Sequence, residues 1–205
     1  YLRNSEIDLA QEYFLKAKTS NARFILNKYV SSSIYNWSDL DNHNLDKAII
    51  KLEKLDERFG NLKNIQKVFL HCYFNSPNTN SLFKELTSNK ETDFSRYNYF
   101  YASYLATLGK TEKAKDTVKS ALRSHPRNLL LNQYKIDLKE GKNTFNFNCK
   151  NKANVVAEIL YIASNALSRA LSLPTCQHRN IPFRAIILLS SNIAHLGLLN
   201  IYTLS

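Results

Sequence analysis

The chain has 205 residues, enough to bury one sizeable core or a short array of repeats. Only four Gly and four Pro are spread along it, too few turn residues for a β-sandwich or barrel, so the composition points to long helices joined by short connections. The formal charge is +11 and the pI about 9.5. The lysines are scattered and mixed with many asparagines, which reads as a solvated basic face and counts against nucleic acid or an anionic membrane as the partner.

In chain order, Tyr1 opens inside a helical pattern, no residue is Met, and no charged-then-apolar leader is present; the chain is expected to be a fragment that starts within a longer protein. Ala10, Phe14 and Ala17 mark the packed face of the first helix. Ile34, Trp37 and Leu40 predict a helix, residues 42–44 a turn, and Leu45, Ala48, Leu52 and Leu55 a second helix paired with it. Ile65, Val68, Phe69 and Tyr73 predict another, followed by a short one around residues 81–87.

The clearest segment is 95–128. Phe100, Tyr101, Leu105 and Leu108 recur at helical spacing, and Gly109 stops that helix because Gly tolerates left-handed backbone. Thr111 is the expected N-cap of a second helix that carries Ala114, Val118, Ala121 and Leu122 and ends before Pro126. A further helix over 128–139 is broken by Gly141, residues 142–152 read as a polar loop, and ANVVAEILYIASNALSRAL returns to helix. The end of the chain changes character: Lys152 is the last lysine, Glu158 the last acidic residue, and Pro174 and Pro182 interrupt the apolar stretch that follows. Capping helices, a tail translated out of frame and a membrane-attached segment all fit that change, and residues beyond about 170 are not expected to continue the upstream register.

Small Ala102, large Leu105, the turn at Gly109, small Ala114 and Ala121 and the terminal Pro126 together resemble the tetratricopeptide repeat (TPR), with Ala10, Ala17, Trp37 and Ala48 as counterparts in weaker copies. The resemblance implies an all-α fold, an α-solenoid of stacked antiparallel helix pairs, over residues 1–141 with the first repeat truncated. The loop 142–152 and a further helix with an atypical apolar segment, 153–205, would follow. The chain is also similar to long TPR proteins of alphaproteobacteria, which implies a bacterial cytoplasm or periplasm. In such arrays helix A lines the concave surface where a partner peptide or helix lies. The resemblance therefore implies a non-catalytic protein-interaction scaffold, with Arg96, Tyr99 and Ser103 in one repeat and Gln133 and Asp137 in the next as partner-binding residues. The chaperone-binding subgroup grips a carboxylate with Lys and Asn; Tyr99 and Ser103 stand at those places here, so that grip is not expected.

No catalytic residue is assigned. The chain has no Gly-rich phosphate loop, HExxH, GxSxG or paired-cysteine motif. His71–Cys72 and Cys176 near His178 each supply half a tetrahedral metal set, so neither a metal site nor a cofactor is expected. Asp39, Asp41 and Asp46 lack the ligand spacing of a cation loop and read as helix-start carboxylates. The three cysteines, Cys72, Cys149 and Cys176, are distant and odd in number and read as buried or incidental thiols. In the aromatic run 97–104, Tyr97, Phe100, Tyr101 and Tyr104 share one helical face and read as core, leaving Arg96, Tyr99 and Ser103 on the other side. The alternative is a helical-repeat RNA binder, which would place basic side chains along the concave face.

Overall fold

A computed structural model describes residues 25–88, 95–142 and 147–172. Every regular element among them is helical: α1 (Ile25–Ser38), α2 (Leu45–Glu53), α3 (Gly60–Tyr73), α4 (Thr79–Ser88), α5 (Ser95–Thr107), α6 (Thr111–Ser124), α7 (Leu129–Glu140) and α8 (Lys152–Ser172), with 3-10 turns at Leu40–Asn42 and Glu57–Phe59. The all-α class is as expected. Ala10 and Ala17, Cys176 and His178, and the apolar stretch from Thr175 onward lie outside the described residues.

The described residues divide into two compact units, one holding α1 and α8 and the other holding α2 to α7 with residues 147–151. In the first, α1 packs against α8. Tyr29, Ile34 and Trp37 are buried on α1, and so is every residue from Val155 to Leu160 on α8. The ends are tied by charge: Lys152 Nζ lies 2.6 Å from Asp41 Oδ2, and Asp39 Oδ2 lies 3.0 Å from His43 Nε2. Asp46 sits in the first turn of α2, where the helix dipole favours a carboxylate.

Spacing alone pairs the helix of Ile34 and Trp37 with that of Leu45 and Ala48; within their own units α1 meets α8, and α2 meets α3. The nine-residue α2 buries only Ala48 and Leu52 and leaves Ile50 exposed, so its stripe covers one neighbour. The broader buried face of α1 is matched by a helix more than a hundred positions later, which local spacing does not reveal. Leu55 falls beyond the end of α2 and is buried in the turn that follows.

In the second unit each helix packs on the next from α2 through α7, and α5 also touches α7. The α5 and α6 pair is the most extensive contact. The three residues joining them reverse the chain: Gly109 has φ +71°, Lys110 N donates to Leu105 O and Gly109 N to Ala106 O, both at 2.9 Å, a Schellman closure that satisfies carbonyls at the helix end. Thr111 begins α6 instead of capping it; Lys110 holds the cap position with no side-chain cap bond. Ala114, Val118 and Ala121 are the buried residues of α6, opposed by Ala102 and Leu105 among the buried residues of α5. Small side chains there let the helix axes approach closely. Pro126 is exposed, two residues past the end of α6. Asn128 caps the next helix, its Oδ1 accepting from Leu131 N at 2.9 Å, and Gly141 closes α7 at φ +66°, as expected.

Two stability tests follow from this packing. Ala114 has no exposed surface, so Ala114→Leu should overpack the α5–α6 contact and cost about 1–3 kcal/mol in urea unfolding. A variant as stable as the parent would show that the contact is loose. Gly109 has open space where a Cβ would stand but a positive φ, whereas Gly60 has the space without the positive φ. Gly109→Ala should therefore lower stability by about 1 kcal/mol while Gly60→Ala leaves it equal or slightly higher; equal effects at the two positions would refute a left-handed turn at Gly109.

Candidate functional site

The helix α5 is buried almost all round. Tyr97, Asn98, Tyr99, Phe100, Tyr101, Ala102, Ser103 and Leu105 are all buried, so the aromatic run is not split into a core face and an open face. Phe83 of α4 stacks on Tyr101, with centroids 5.4 Å apart, and on Tyr104 at 5.3 Å. On the opposite side Tyr99 meets Tyr134 of α7 edge-on at 4.9 Å, and Arg96 lies 5.5 Å over the Phe100 ring.

The remaining cover comes from the segment expected to be a polar loop. Phe147 packs on Phe100 at 4.3 Å and on Phe69 of α3 at 4.7 Å, with Phe69 and Phe100 edge-to-face at 5.2 Å. Its backbone hydrogen-bonds the Tyr99 phenol. Two residues on, Cys149 is joined to Cys72 of α3 by a disulfide, Cα to Cα 6.0 Å. This corrects the reading of both cysteines as free thiols; two of an odd three are paired, across 77 residues of chain. Closing a loop of that length restrains the unfolded chain by about 4 kcal/mol in the chain-entropy account. Asn148 turns the segment after Phe147, its Oδ1 accepting from Lys150 N at 2.9 Å, and Lys150 Nζ donates to Asn75 Oδ1. Asn75 itself sits at φ +55°, ending α3 as Gly109 ends α5, with Ser76 N bonded to His71 O at 2.8 Å.

The five residues expected to bind a partner come together, although not as an open surface. Tyr99 is 6%, Ser103 0% and Asp137 9% exposed; Arg96 is half-buried and Gln133 exposed, the latter donating to Asp137 Oδ1 at 2.9 Å. Below them the hydroxyls of Tyr99, Ser103 and Tyr134 face one another, while Ser103 Oγ and Tyr134 Oη make no well-aligned hydrogen bond. Burial pushes the Tyr99 phenol up to about 12, against the smaller opposing effects of the Ser103 hydroxyl, the Phe147 backbone and Arg96. Tyr134 is also raised, by burial first and by the Asp137 carboxylate. The arrangement is an aromatic floor, a cation at its edge and a cluster of three hydroxyls beside a docked phenylalanine.

Beside the disulfide lies a cavity of about 550 Å³ whose lining includes Cys72, Cys149, Asn75, Thr79, Lys110 and Lys150. Among the described residues no group of three His, Cys, Asp or Glu side chains could hold a metal. Cys72 is spent in the disulfide, and His71 Nδ1 is 2.9 Å from Ser76 Oγ. No helix among them is long and apolar enough to cross a membrane.

Phe147 and Cys149 are the residues of this candidate site that motif reading passed over. A signal was present: Phe145, Phe147 and Cys149 alternate in the sequence, the period-two pattern expected of extended chain with one apolar side. No family model, no curated protein and no solved structure matches the chain.

The buried phenol gives a pH test. Tyr99 keeps its proton in the fold to about 12, whereas the unfolded chain releases it near 10.0. Between those values the folded state binds more protons, so this residue's contribution holds below pH 10 and is lost as pH rises towards 12. Urea unfolding across that range should show stability falling, and Tyr99→Phe should flatten the fall; an unchanged slope would mean that the Tyr99 phenol is open to water.

Proposed function

We propose that the chain is a TPR-like α-solenoid acting as a non-catalytic protein-interaction scaffold, which holds an aromatic-bearing peptide on the face formed by α3, α5 and α7. The observation that carries this reading is Phe147, a phenylalanine on a non-helical segment seated on Phe69 and Phe100 with its backbone bonded to Tyr99. A site that accepts such a segment from its own chain has the shape and chemistry to accept one from a partner. Neighbour-to-neighbour helix packing from α2 to α7, with the skipped contact from α5 to α7, supports the repeat arrangement. Ala102, Leu105, Gly109, Ala114 and Ala121 occupying contact and turn positions supports the TPR register. Arg96, beside the aromatic floor, and Gln133, at the exposed rim, would set which peptides are held.

The RNA reading draws less support. Lys113 and Lys119 are exposed on α6, whose buried face carries Ala114, Val118 and Ala121; cations so placed bring counterion release without base readout.

Screening phenylalanine-containing peptides against the chain carrying Cys149→Ser, whose covering segment is no longer tethered, by fluorescence anisotropy at physiological salt, should identify ligands whose affinity falls about tenfold in Arg96→Ala and Gln133→Ala. Tight, salt-resistant RNA binding in place of peptide binding would overturn the scaffold reading.

A further inference from the structure

We propose that the Cys72–Cys149 disulfide is a thiol–disulfide exchange site for a dithiol reductant, and that its cleavage frees residues 147–151 from the aromatic face. The inference rests on the scaffold reading only for what the freed face then binds.

The reagent has a way in. Both sulfurs belong to residues that are almost fully buried, yet both line the cavity that Lys110 and Lys150 border, and those two lysines are exposed. An attacking thiolate therefore approaches through a polar, cationic mouth instead of through the core. The two sulfurs are not equivalent as leaving groups. Cys72 lies in the last turn of α3 (Gly60–Tyr73), where the helix end is negative and disfavours a thiolate. Cys149 is followed by Lys150, on a segment outside any helix, where a cation favours one. Attack is thus directed at Cys72 Sγ: the bond from the reductant's sulfur to Cys72 Sγ forms, the Cys72–Cys149 bond breaks, and Cys149 leaves with the electron pair as a thiolate that takes a proton from water. The reductant's second thiol, losing its proton, then attacks its own sulfur in the mixed disulfide and expels Cys72 as a thiolate, which is protonated in turn. The protein disulfide gains two electrons and two protons, and the dithiol becomes a disulfide.

What release would uncover is already laid out. The ties that hold the segment include the disulfide, Phe147 on Phe69 and Phe100, its backbone on the Tyr99 phenol, and Lys150 on Asn75. The aromatic and side-chain contacts alone are those of a single short loop, the order of contact that opens locally without global unfolding.

The test uses the full 205-residue chain carrying Cys176→Ser, so that only two sulfurs exchange. Dithiothreitol without denaturant should reduce the bond while helical circular dichroism is retained. Hydrogen exchange should then rise at residues 147–151, with α5 and α6 still protected. Lys110→Glu with Lys150→Glu should slow that reduction about tenfold. A glutathione adduct trapped during reduction should map to Cys72. A labelled peptide of residues 143–151 with Cys149→Ser should bind the reduced and not the oxidised chain, and Cys149→Ser in the protein should bind it without reductant. A disulfide reducible only in denaturant, or unchanged protection of 147–151 after full reduction, would overturn the proposal. Release without peptide binding would uphold the exchange site and count against the scaffold reading.

Discussion

The second unit depends on the burial of α5 (Ser95–Thr107) from several sides at once. Its tyrosines, phenylalanine and small residues are covered by α4 through Phe83, by α6 through Ala114, Val118 and Ala121, by α7 through Tyr134, and by Phe147. A helix with so few charges, only Arg96 among its thirteen residues, has no solvated face to turn outward and must be wrapped. Each neighbour occupies a different sector, and the sector left by the helices is the one that the 147–151 segment fills.

That constraint bears on the proposed reading, because an aromatic face left uncovered is a docking surface or an aggregation liability. Here the chain supplies its own cover, held by Cys72–Cys149 and by Lys150 on Asn75. The cover is partial. Arg96 remains half-buried over Phe100, and Gln133 is exposed and bonded to Asp137.

The left-handed residues at three helix ends show how little sequence is needed to set these turns. Gly109, Gly141 and Asn75 all adopt positive φ, and the first two are the residue type that adopts it without strain. Asn75 is the costlier choice, and it is the one whose side chain is engaged by Lys150. The turn at the end of α3 therefore also carries part of the anchor for the covering segment.

Helices, their turns and the small-residue contacts were legible in the sequence because they are local. Gly109, Asn128 and Gly141 act through backbone within a few residues, and Ala114, Val118 and Ala121 recur at a spacing that places them on one face whatever lies opposite. Arg96, Tyr99 and Ser103 could be grouped from register, whereas Gln133 and Asp137 joined them only through the resemblance to the repeat. What covers them could not be read from either. The pairing of α1 with α8, the bond between Cys72 and Cys149, and the seat of Phe147 on Phe69 and Phe100 all join positions far apart in the chain. Periodicity states which face of a helix is apolar but not which distant segment will bury it; that choice is made by the competition among all apolar faces for one another, and only the tertiary structure resolves it.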